Sequence, residues 1–570
     1  MKFIVFDTED DSREVLAAGR PGNEKRVTQI AAITTHGEQY HNRGDRESFL
    51  EWVLDSGIRR VYAHNLQYDL GNLFADHLDM LNLTMVGGRV IKAGWRGITF
   101  VDSFNLFPMS VKSMGEAFGL RKLRFDAEDR EYVFRDCEIV LKALLYLLKV
   151  IRPYGLTELP NTLGGLCVRL WQAMGGENWN DASPLSREAI FGGRVELFSN
   201  GGTGNIAWTD VNSLYPWAMT QKFPAVIGEQ KDLTLYGITR ARVKVPEQEI
   251  APLPYRVQWE DGFDGVWPGA ILFPCGTFDG VWTNAELVNA VDNHGVKIEK
   301  IYESWGSNHG EAYYSDFVND FYAKRLKSES EAEKLVYKLL MNNLYGQLGM
   351  SGVITTSTKG NEQLFDEIRR GEVDATAYGD NLLMDRAIPL PKHCNYTHAA
   401  YVTAYGRLRL IEFMKKIPVK DLVYCDTDSL FFFNKGEKLP FHTGRSLGEM
   451  KFEGWGKKVE VFAPKMYVFD EKAKAKGVPR RLAKQFIEEM SVEYDAPFRM
   501  REAIRFFDRG NTHKLSVWRK IKKQFRTNYR KKRLTASKHF IPLCIDTKST
   551  ANNAASTPGK KKGRTKKKVG

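Results

Sequence analysis

The sequence has little cysteine and no long apolar run. Its six cysteines (Cys137, Cys167, Cys275, Cys394, Cys425 and Cys544) show no CxxC spacing. This argues against a zinc site and a disulfide framework, and suits a reducing compartment. No stretch of about 18 apolar residues occurs, so no spanning helix is expected. The N-terminus, Met1 to Asp7, is too short and too soon acidic for a signal peptide. Excess positive charge is also missing from most of the chain. Residues 1–510 hold 64 Lys+Arg against 69 Asp+Glu, whereas the last sixty hold 19 basic residues and one acid, Asp546. With 43% apolar and 27% charged residues the chain is not wholly disordered. A nearly neutral body with a basic end points to a polyanion partner held mainly by one element.

What is there reads first as an α/β pattern. Phe3–Phe6, Val27–Ile33 and Val61–His64 look like strands, and Glu131–Ile151 like a helix with an apolar side of Ile139, Val140, Leu144, Leu147 and Leu148. Glycine pairs at 175–176, 192–193 and 201–202 mark a boundary region. Residues 207–470 mix short strands with one strong helix at 328–345. Residues 347–393 read as hairpins and loops. A basic segment, 514–533, carries Leu515, Trp518, Ile521, Phe525 and Tyr529 at helical spacing, with ten Lys/Arg. It reads as an element contacting duplex phosphates, against a packed helix with a solvated back or a membrane-surface helix.

Asp7 and Glu9 end the first strand at i, i+2 spacing, which turns both carboxylates to one side. Asp69 follows a second strand in Asn65-Leu66-Gln67-Tyr68-Asp69. Asp136 lies four residues after Tyr132 on the 131–151 helix, hence on the same face. Four carboxylates and a tyrosine suit two hard divalent ions and a water oriented for phosphodiester cleavage. Any one of these acids alone is more simply an acidic surface residue.

A second set follows. Asp210, in Asp210-Val211-Asn212-Ser213-Leu214-Tyr215-Pro216, comes after a short apolar stretch. Asp426 and Asp428 sit at the junction of two strands, again at i, i+2. Together they suit two Mg²⁺ ions and in-line nucleotidyl transfer. Between them, Lys334, Lys338 and Asn342 recur every four residues as a polar helix stripe with Tyr345 close by, placed for a triphosphate.

The ordered motifs DxE, NxxYD and YxxxD resemble the three exonuclease motifs of proofreading DNA polymerases. DVNSLYP, KLLMNNLYG and YCDTDS resemble motifs A, B and C of family B DNA polymerases. Lys465-Met466-Tyr467 resembles the KxY motif, and Thr403 to Arg407 the TxxGR motif that contacts DNA. The resemblance spans residues 7 to 467. The early first carboxylate, the short chain and the 347–393 stretch resemble the protein-primed phage-type branch. Two departures stand out: Ser103-Phe104 where the family has (S/T)L, and Ile190-Phe191-Gly192-Gly193 where it has YxGG.

The resemblance implies an α/β and α+β multidomain chain, with an RNase H-like exonuclease domain at 1–160 and a linker region at 161–206. A right-hand polymerase follows: palm and fingers at 207–470 with insertions at 222–325 and 347–393, a thumb and basic region at 471–546, and a disordered tail at 547–570. Asp210, Val211 and Asp428, with Asp426 adjacent, would hold polymerase metals; Asp7, Glu9, Asp69 and Asp136 would hold exonuclease metals. The cofactor is Mg²⁺, two per site, with Mn²⁺ able to substitute. Tyr132 would orient water, while Asn65, Tyr68 and Ser103 hold the frayed strand. Tyr215 would exclude a 2′-hydroxyl; Lys334, Lys338, Asn342 and Tyr345 would serve the nucleotide; Gly192, Gly193, Arg407, Lys465 and Tyr467 would meet DNA. The implied partners are template-primer DNA, dNTPs and a terminal protein as primer, for a monomer with no membrane association, cytoplasmic, or nuclear in a eukaryotic host. A primer-independent polymerase, and an exonuclease whose polymerase half only clamps DNA, are the alternatives.

Overall fold

A computed structural model of the chain describes all residues except 12–25, 75–76, 125–128, 179–180, 182, 264, 372, 379, 437, 498–499, 508–517, 526–528 and 547–570. The tail Lys560–Lys568 and Leu515 therefore lie outside the described residues. So does part of the 514–533 segment.

The N-terminal half is built on a ten-stranded sheet. Third from one edge lies Ile4–Asp10, which pairs antiparallel with Val27–Thr34 and parallel with Arg60–Ala63. β-Branched and aromatic residues fill these strands because both faces are covered. The helix Arg130–Ile151 lays Val133, Cys137, Val140, Leu144 and Leu147 on one of them. Asp129 caps it by accepting the Glu131 N–H. The same core continues into the helices Leu163–Ala173, Ser315–Lys327, Glu331–Asn343 and Tyr396–Met414. The 161–206 stretch is thus packed structure rather than a free linker: Cys167 Sγ donates to the Leu340 carbonyl at 3.2 Å.

The 347–393 stretch is more ordered than its glycines suggest. Val353–Lys359, Asn381–Ala387 and Ala375–Tyr378 form three strands, and Val353–Lys359 pairs with Asn82–Val86, so the insertion extends the N-terminal sheet. The helix Met500–Phe507 then rests on both. The Met500 N–H donates to Gln67 at 2.9 Å, and Arg501 pairs with Asp385 at 3.1 Å.

A seven-stranded sheet forms the second centre, in the order Lys472–Ala475, Met466–Phe469, Met450–Ala463, Gly201–Val211, Ser429–Phe433, Leu422–Asp426, Val195–Leu197. A third sheet of five strands joins Gly228–Glu229, Lys297–Ser307, Tyr236–Val245, Cys275–Thr283 and, from the far end of the chain, Cys544–Asp546. The insertion expected at 222–325 stops short of that limit: Ser315–Lys327 is the first arm of a helical hairpin with Glu331–Asn343.

The basic segment corrects the helical expectation. Trp518–Gln524 is a strand paired antiparallel with Ser491–Pro497, so Asp495 faces Lys520 and Glu493 faces Lys522 across the ladder. Opposite charges face each other across the ladder, and Phe525 borders a small core together with Tyr494, the cross-strand partner of Ile521. Nor does the chain from Tyr529 to Asp546 continue a thumb. It turns back over the seven-stranded sheet, where Tyr529 packs edge-on to Phe540 at 5.2 Å and Phe540 N–H donates to the Phe198 carbonyl at 2.8 Å.

Candidate active sites

The central strand Gly201–Val211 lies beside Ser429–Phe433 in register Asp210↔Ser429. Asp426 and Ser429 close the neighbouring hairpin, leaving Thr427 and Asp428 as a two-residue turn. This brings Asp210, Asp426 and Asp428 together. The Val211 N–H donates to the Asp428 carbonyl at 2.7 Å. Val211 itself is buried, so only its carbonyl oxygen could serve a metal. Burial, and then the facing Asp428 carboxylate, push Asp210 up to about 7. Asp428 is also raised, first by burial. Asp426 is paired instead, with Lys465 at 2.7 Å and Lys474 at 4.0 Å.

Ser213 takes a left-handed φ of 46°, which starts the short helix Leu214–Met219 and aims Tyr215 across the turn. The Tyr215 ring lies on that of Tyr345, with centroids 4.8 Å apart and planes at 52°. Tyr345 follows the helix that carries Lys334, Lys338 and Asn342. There Lys338 is exposed, Lys334 pairs with Glu331 at 2.8 Å, and the Asn342 amide donates to the Lys338 carbonyl at 2.9 Å. The two lysines lie one turn apart, about 6 Å along the helix. Gly193 fits between Thr427 and the Tyr215 hydroxyl; a Cβ there would lie 2.7 Å and 2.9 Å from them. Gly192 has open space beside it. Tyr467 is packed edge-on to Phe431 at 5.0 Å, and burial, then Asp426 and Asp210, push it up to about 12.

The second cluster forms at the end of Ile4–Asp10. That strand pairs with Arg60–Ala63 only through Ile4 and Val5. Beyond them its edge is free, and Thr8 donates from N–H (3.1 Å) and hydroxyl (2.8 Å) to Asp69. Asp69 follows the strand Arg60–Ala63 and lies on the helix Leu66–Leu73. Asn65, at φ 69°, kinks the chain into that helix, and its N–H is held by Asp102 at 2.9 Å. Asp7 is raised well above the usual carboxylate range by burial, then by Asp69, Glu9 and Asp136. Asp69 and Asp136 are raised chiefly by burial. Tyr68, half-buried beside Asp10 and Glu9, is held far above its ordinary value, first by burial.

Two expectations fail on burial. Ser103 is fully enclosed: it donates to the Ala63 carbonyl at 3.0 Å and bonds His64 at 2.9 Å, so it positions the strand end and is not available to a ligand. Arg407 is also enclosed. It pairs with Glu286 at 2.8 Å and donates to the carbonyls of Phe191 (3.0 Å) and Gly192 (2.7 Å), clasping the diglycine segment from behind rather than meeting DNA.

Three cations were not foreseen. Lys122 forms an ion pair with Asp136 and lies 4.8 Å from the Tyr132 ring centroid. Burial opposes its charge, but Asp136 and Tyr132 hold it above the ordinary lysine value. Lys474 approaches Asp426, and Arg325 reaches the Ser213 hydroxyl at 3.5 Å. A lone lysine 14 residues before an aspartate carries no periodic signal, so only the fold could find Lys122.

The donor sets fit hard divalent ions. Oxygen ligands dominate, the acids raise one another, and Asp69 Oδ2 and Asp136 Oδ1 are buried without a hydrogen-bond partner. As the side chains stand, no group of three or more His, Cys, Asp or Glu among the described residues is placed to hold a metal ion; lysines stand against Asp136 and Asp426 instead. An open cleft of about 810 Å³ runs from the helix Pro184–Glu188 to the base of the insertion, lined by Arg187, Arg256, Tyr396 and Val353 among others.

Residues 185–401 match the family DNA polymerase type B, organellar and viral. Probable DNA polymerases of Ascobolus immersus and Agaricus bitorquis are 29% and 26% identical, over 51% and 50% of this chain. The chain spans only 25% and 41% of their lengths. The fold is that of phi29 DNA polymerase. Its ternary complex with primer-template DNA and incoming nucleotide gives a TM-score of 0.69 at 17% identity, covering 92% of this chain and 100% of that one. The binary complex gives 0.67. The resemblance to family B polymerases therefore extends from motifs to fold.

Proposed function

We propose that the chain is a DNA-directed DNA polymerase with a separate 3′–5′ exonuclease site, a strand-displacing replicase of the protein-primed kind. The observation that carries the reading is the meeting of Asp210, Asp426 and Asp428 on two adjacent strands and the turn beside them, with the Tyr215–Tyr345 ring pair next to that turn.

Asp210, at the end of its strand, and Asp428, in the neighbouring turn, would hold the cations, with the Val211 carbonyl beside them. Two bound Mg²⁺-type ions supply an acidified primer hydroxyl and charge neutralisation at the leaving pyrophosphate. Lys338 and Lys334 bind the triphosphate, Lys338 first because Lys334 must release Glu331. Tyr215, wedged between Tyr345 and Gly193, closes the space beneath C2′ and so excludes ribose. Lys465 neutralises Asp426 and reaches the primer end. In the second site Asp7, Glu9, Asp69 and Asp136 hold the cations, and Tyr132 with Lys122 orients water. Asn65 and Tyr68 flank the strand being cut. The arginine-lined cleft suits an unpaired template strand, since phosphate needs distributed positive charge. The insertion, tied to the N-terminal sheet and to Met500–Phe507, encloses the duplex and supports strand separation.

Extension assays on primed and unprimed single-stranded templates, with dNTPs or NTPs and Mg²⁺, test the reading. Extension of primed DNA with dNTPs is expected. Products from unprimed template would replace protein priming with primer independence. A third arm supplies a small basic protein as hydroxyl donor, and labelled nucleotide attached to it supports protein priming. No extension in any arm refutes the polymerase assignment.

A further inference from the structure

Behind the turn that carries Asp426 and Asp428 lies a buried charged row that none of the motifs includes. Arg194 is wholly enclosed, Glu196 is 3% exposed and Lys532 is 4% exposed. Glu196 takes Arg194 on one oxygen and Lys532 on the other, the latter at 3.2 Å. Arg194 also donates to the Ala251 carbonyl at 2.9 Å and lies over Phe273 at 4.1 Å. Lys532 sits 3.7 Å over the Phe198 ring. The row is tied to the metal-ligand turn through the backbone. The Arg194 carbonyl accepts the Thr427 N–H at 2.8 Å, and Val195 pairs with Asp426 in the sheet.

Thr427 needs that support. Its φ is 63°, a left-handed conformation that a β-branched residue adopts only when its surroundings hold it there. Arg194 supplies the hydrogen bond at that residue, and a buried arginine can be held only by a buried anion. That anion, Glu196, has a second oxygen that must itself be satisfied. The residue that faces it, as an ion pair at 3.2 Å, comes from the far end of the chain, on the strap from Tyr529 to Asp546. The strap is stitched to the same edge by Leu197 N–H to Tyr529 at 3.4 Å, and by the Ser199–His539 bridge.

We propose that Lys532 is a positioning residue: through Glu196 and Arg194 it holds the Asp426-Thr427-Asp428 turn in its ligand-bearing shape. The C-terminal strap thus sets the geometry of the polymerase site without touching substrate. The inference rests on the polymerase reading for its catalytic consequence, but its structural part can be read without activity.

The test uses full-length Lys532→Met, Lys532→Gln and Lys532→Arg. Hydrogen–deuterium exchange over residues 424–430 reads the Thr427 N–H directly, and pre-steady-state extension gives burst rate and burst amplitude separately. Exchange of the turn should quicken in the order Arg, Gln, Met. For Met the burst rate should fall by roughly tenfold to a hundredfold, the scale of misplaced catalytic groups. Burst amplitude and primer-template affinity should stay near wild type. If Lys532→Met is insoluble, Lys532→Gln carries the test, because it keeps a donor of similar length and removes only the charge. Wild-type exchange at the turn in folded Met or Gln protein overturns the proposal. So does a loss confined to melting temperature and burst amplitude, which marks a merely structural role. Failure of the wild type itself to extend DNA would refute the polymerase reading, while the exchange result would still decide this one.

Discussion

Gly193 lies where the metal-ligand turn meets the nucleotide pocket, and one added methyl group there should disturb both. Its backbone is not in the left-handed region, so alanine meets no conformational penalty and the effect is steric. The new Cβ would lie 2.7 Å from Thr427 Cγ2, 2.8 Å from Thr427 Oγ1 and 2.9 Å from the Tyr215 hydroxyl. Neither neighbour yields easily. Thr427 is short, β-branched and bonded to Asp426 at 3.3 Å, while Tyr215 is backed by Tyr345 and by Gly406. Overpacking of this kind costs about 1–3 kcal/mol. Spent on the closed site, this is a loss of about 5- to 150-fold in kcat/KM for dNTPs. Gly192→Ala is the internal control, because nothing lies within 4 Å of its Cβ. Single-nucleotide extension by the two variants decides the matter. Equal rates for Gly193→Ala and Gly192→Ala, in folded protein, would refute the packing argument for this segment.

Further outcomes are expected. Asp7→Ala with Glu9→Ala should abolish single-strand degradation and leave extension nearly intact, and Asp428→Ala should do the reverse; loss of both activities in either would break the two-site assignment. Tyr215→Val should raise ribonucleotide incorporation strongly while changing dNTP use less, read on gels with NTPs and dNTPs in parallel. The protein without divalent ions should lose stability as pH rises from about 4 through about 7. Asp210, at about 7, together with Asp7, Asp69, Asp136 and Asp428, all raised above their unfolded values, favours the folded state only while protonated. Mg²⁺ should therefore raise the melting temperature more at pH 8 than at pH 5, and Asp210→Asn should flatten part of that slope. Arg407→Met should cost about 3–5 kcal/mol of stability by stranding buried Glu286, and should leave the salt dependence of DNA binding unchanged. A lower salt slope in the variant would restore a phosphate contact for Arg407.

The carboxylates were legible because their logic is local. Asp7 and Glu9 are brought to one side by the two-residue period of a strand, Asp426 and Asp428 by the tight turn that joins two adjacent strands, and Asp136 by the turn of a helix. The polar residues that went astray depend on partners far away in sequence. Arg407 looks like a phosphate contact until Glu286, 121 residues earlier, closes over it. Ser103 reads as a strand contact until His64 and the Ala63 carbonyl take its hydroxyl. A motif states which residue type stands at a position. Whether the side chain points at a ligand or holds the backbone behind it is set by tertiary burial.

The basic C-terminus shows how a net charge can divide between two tasks. Read as one unit, the excess of cations after residue 510 suggested a single DNA-contacting element. In the fold, Lys520, Lys522 and Lys523 are exposed on a strand whose partner supplies Glu493 and Asp495. Part of their field is therefore neutralised at home, and surface pairing of this kind is weak and salt-sensitive. Lys532 has left the surface altogether. A lysine is the costliest choice for an enclosed position unless an anion is already there, and Glu196 is there because Arg194 needs it. The charge at 532 thus answers a requirement set at the catalytic turn, whereas the charges at 520–523 remain exposed to a polyanion. A count over the segment cannot separate the two, because the distinction is made by which residues the returning chain covers.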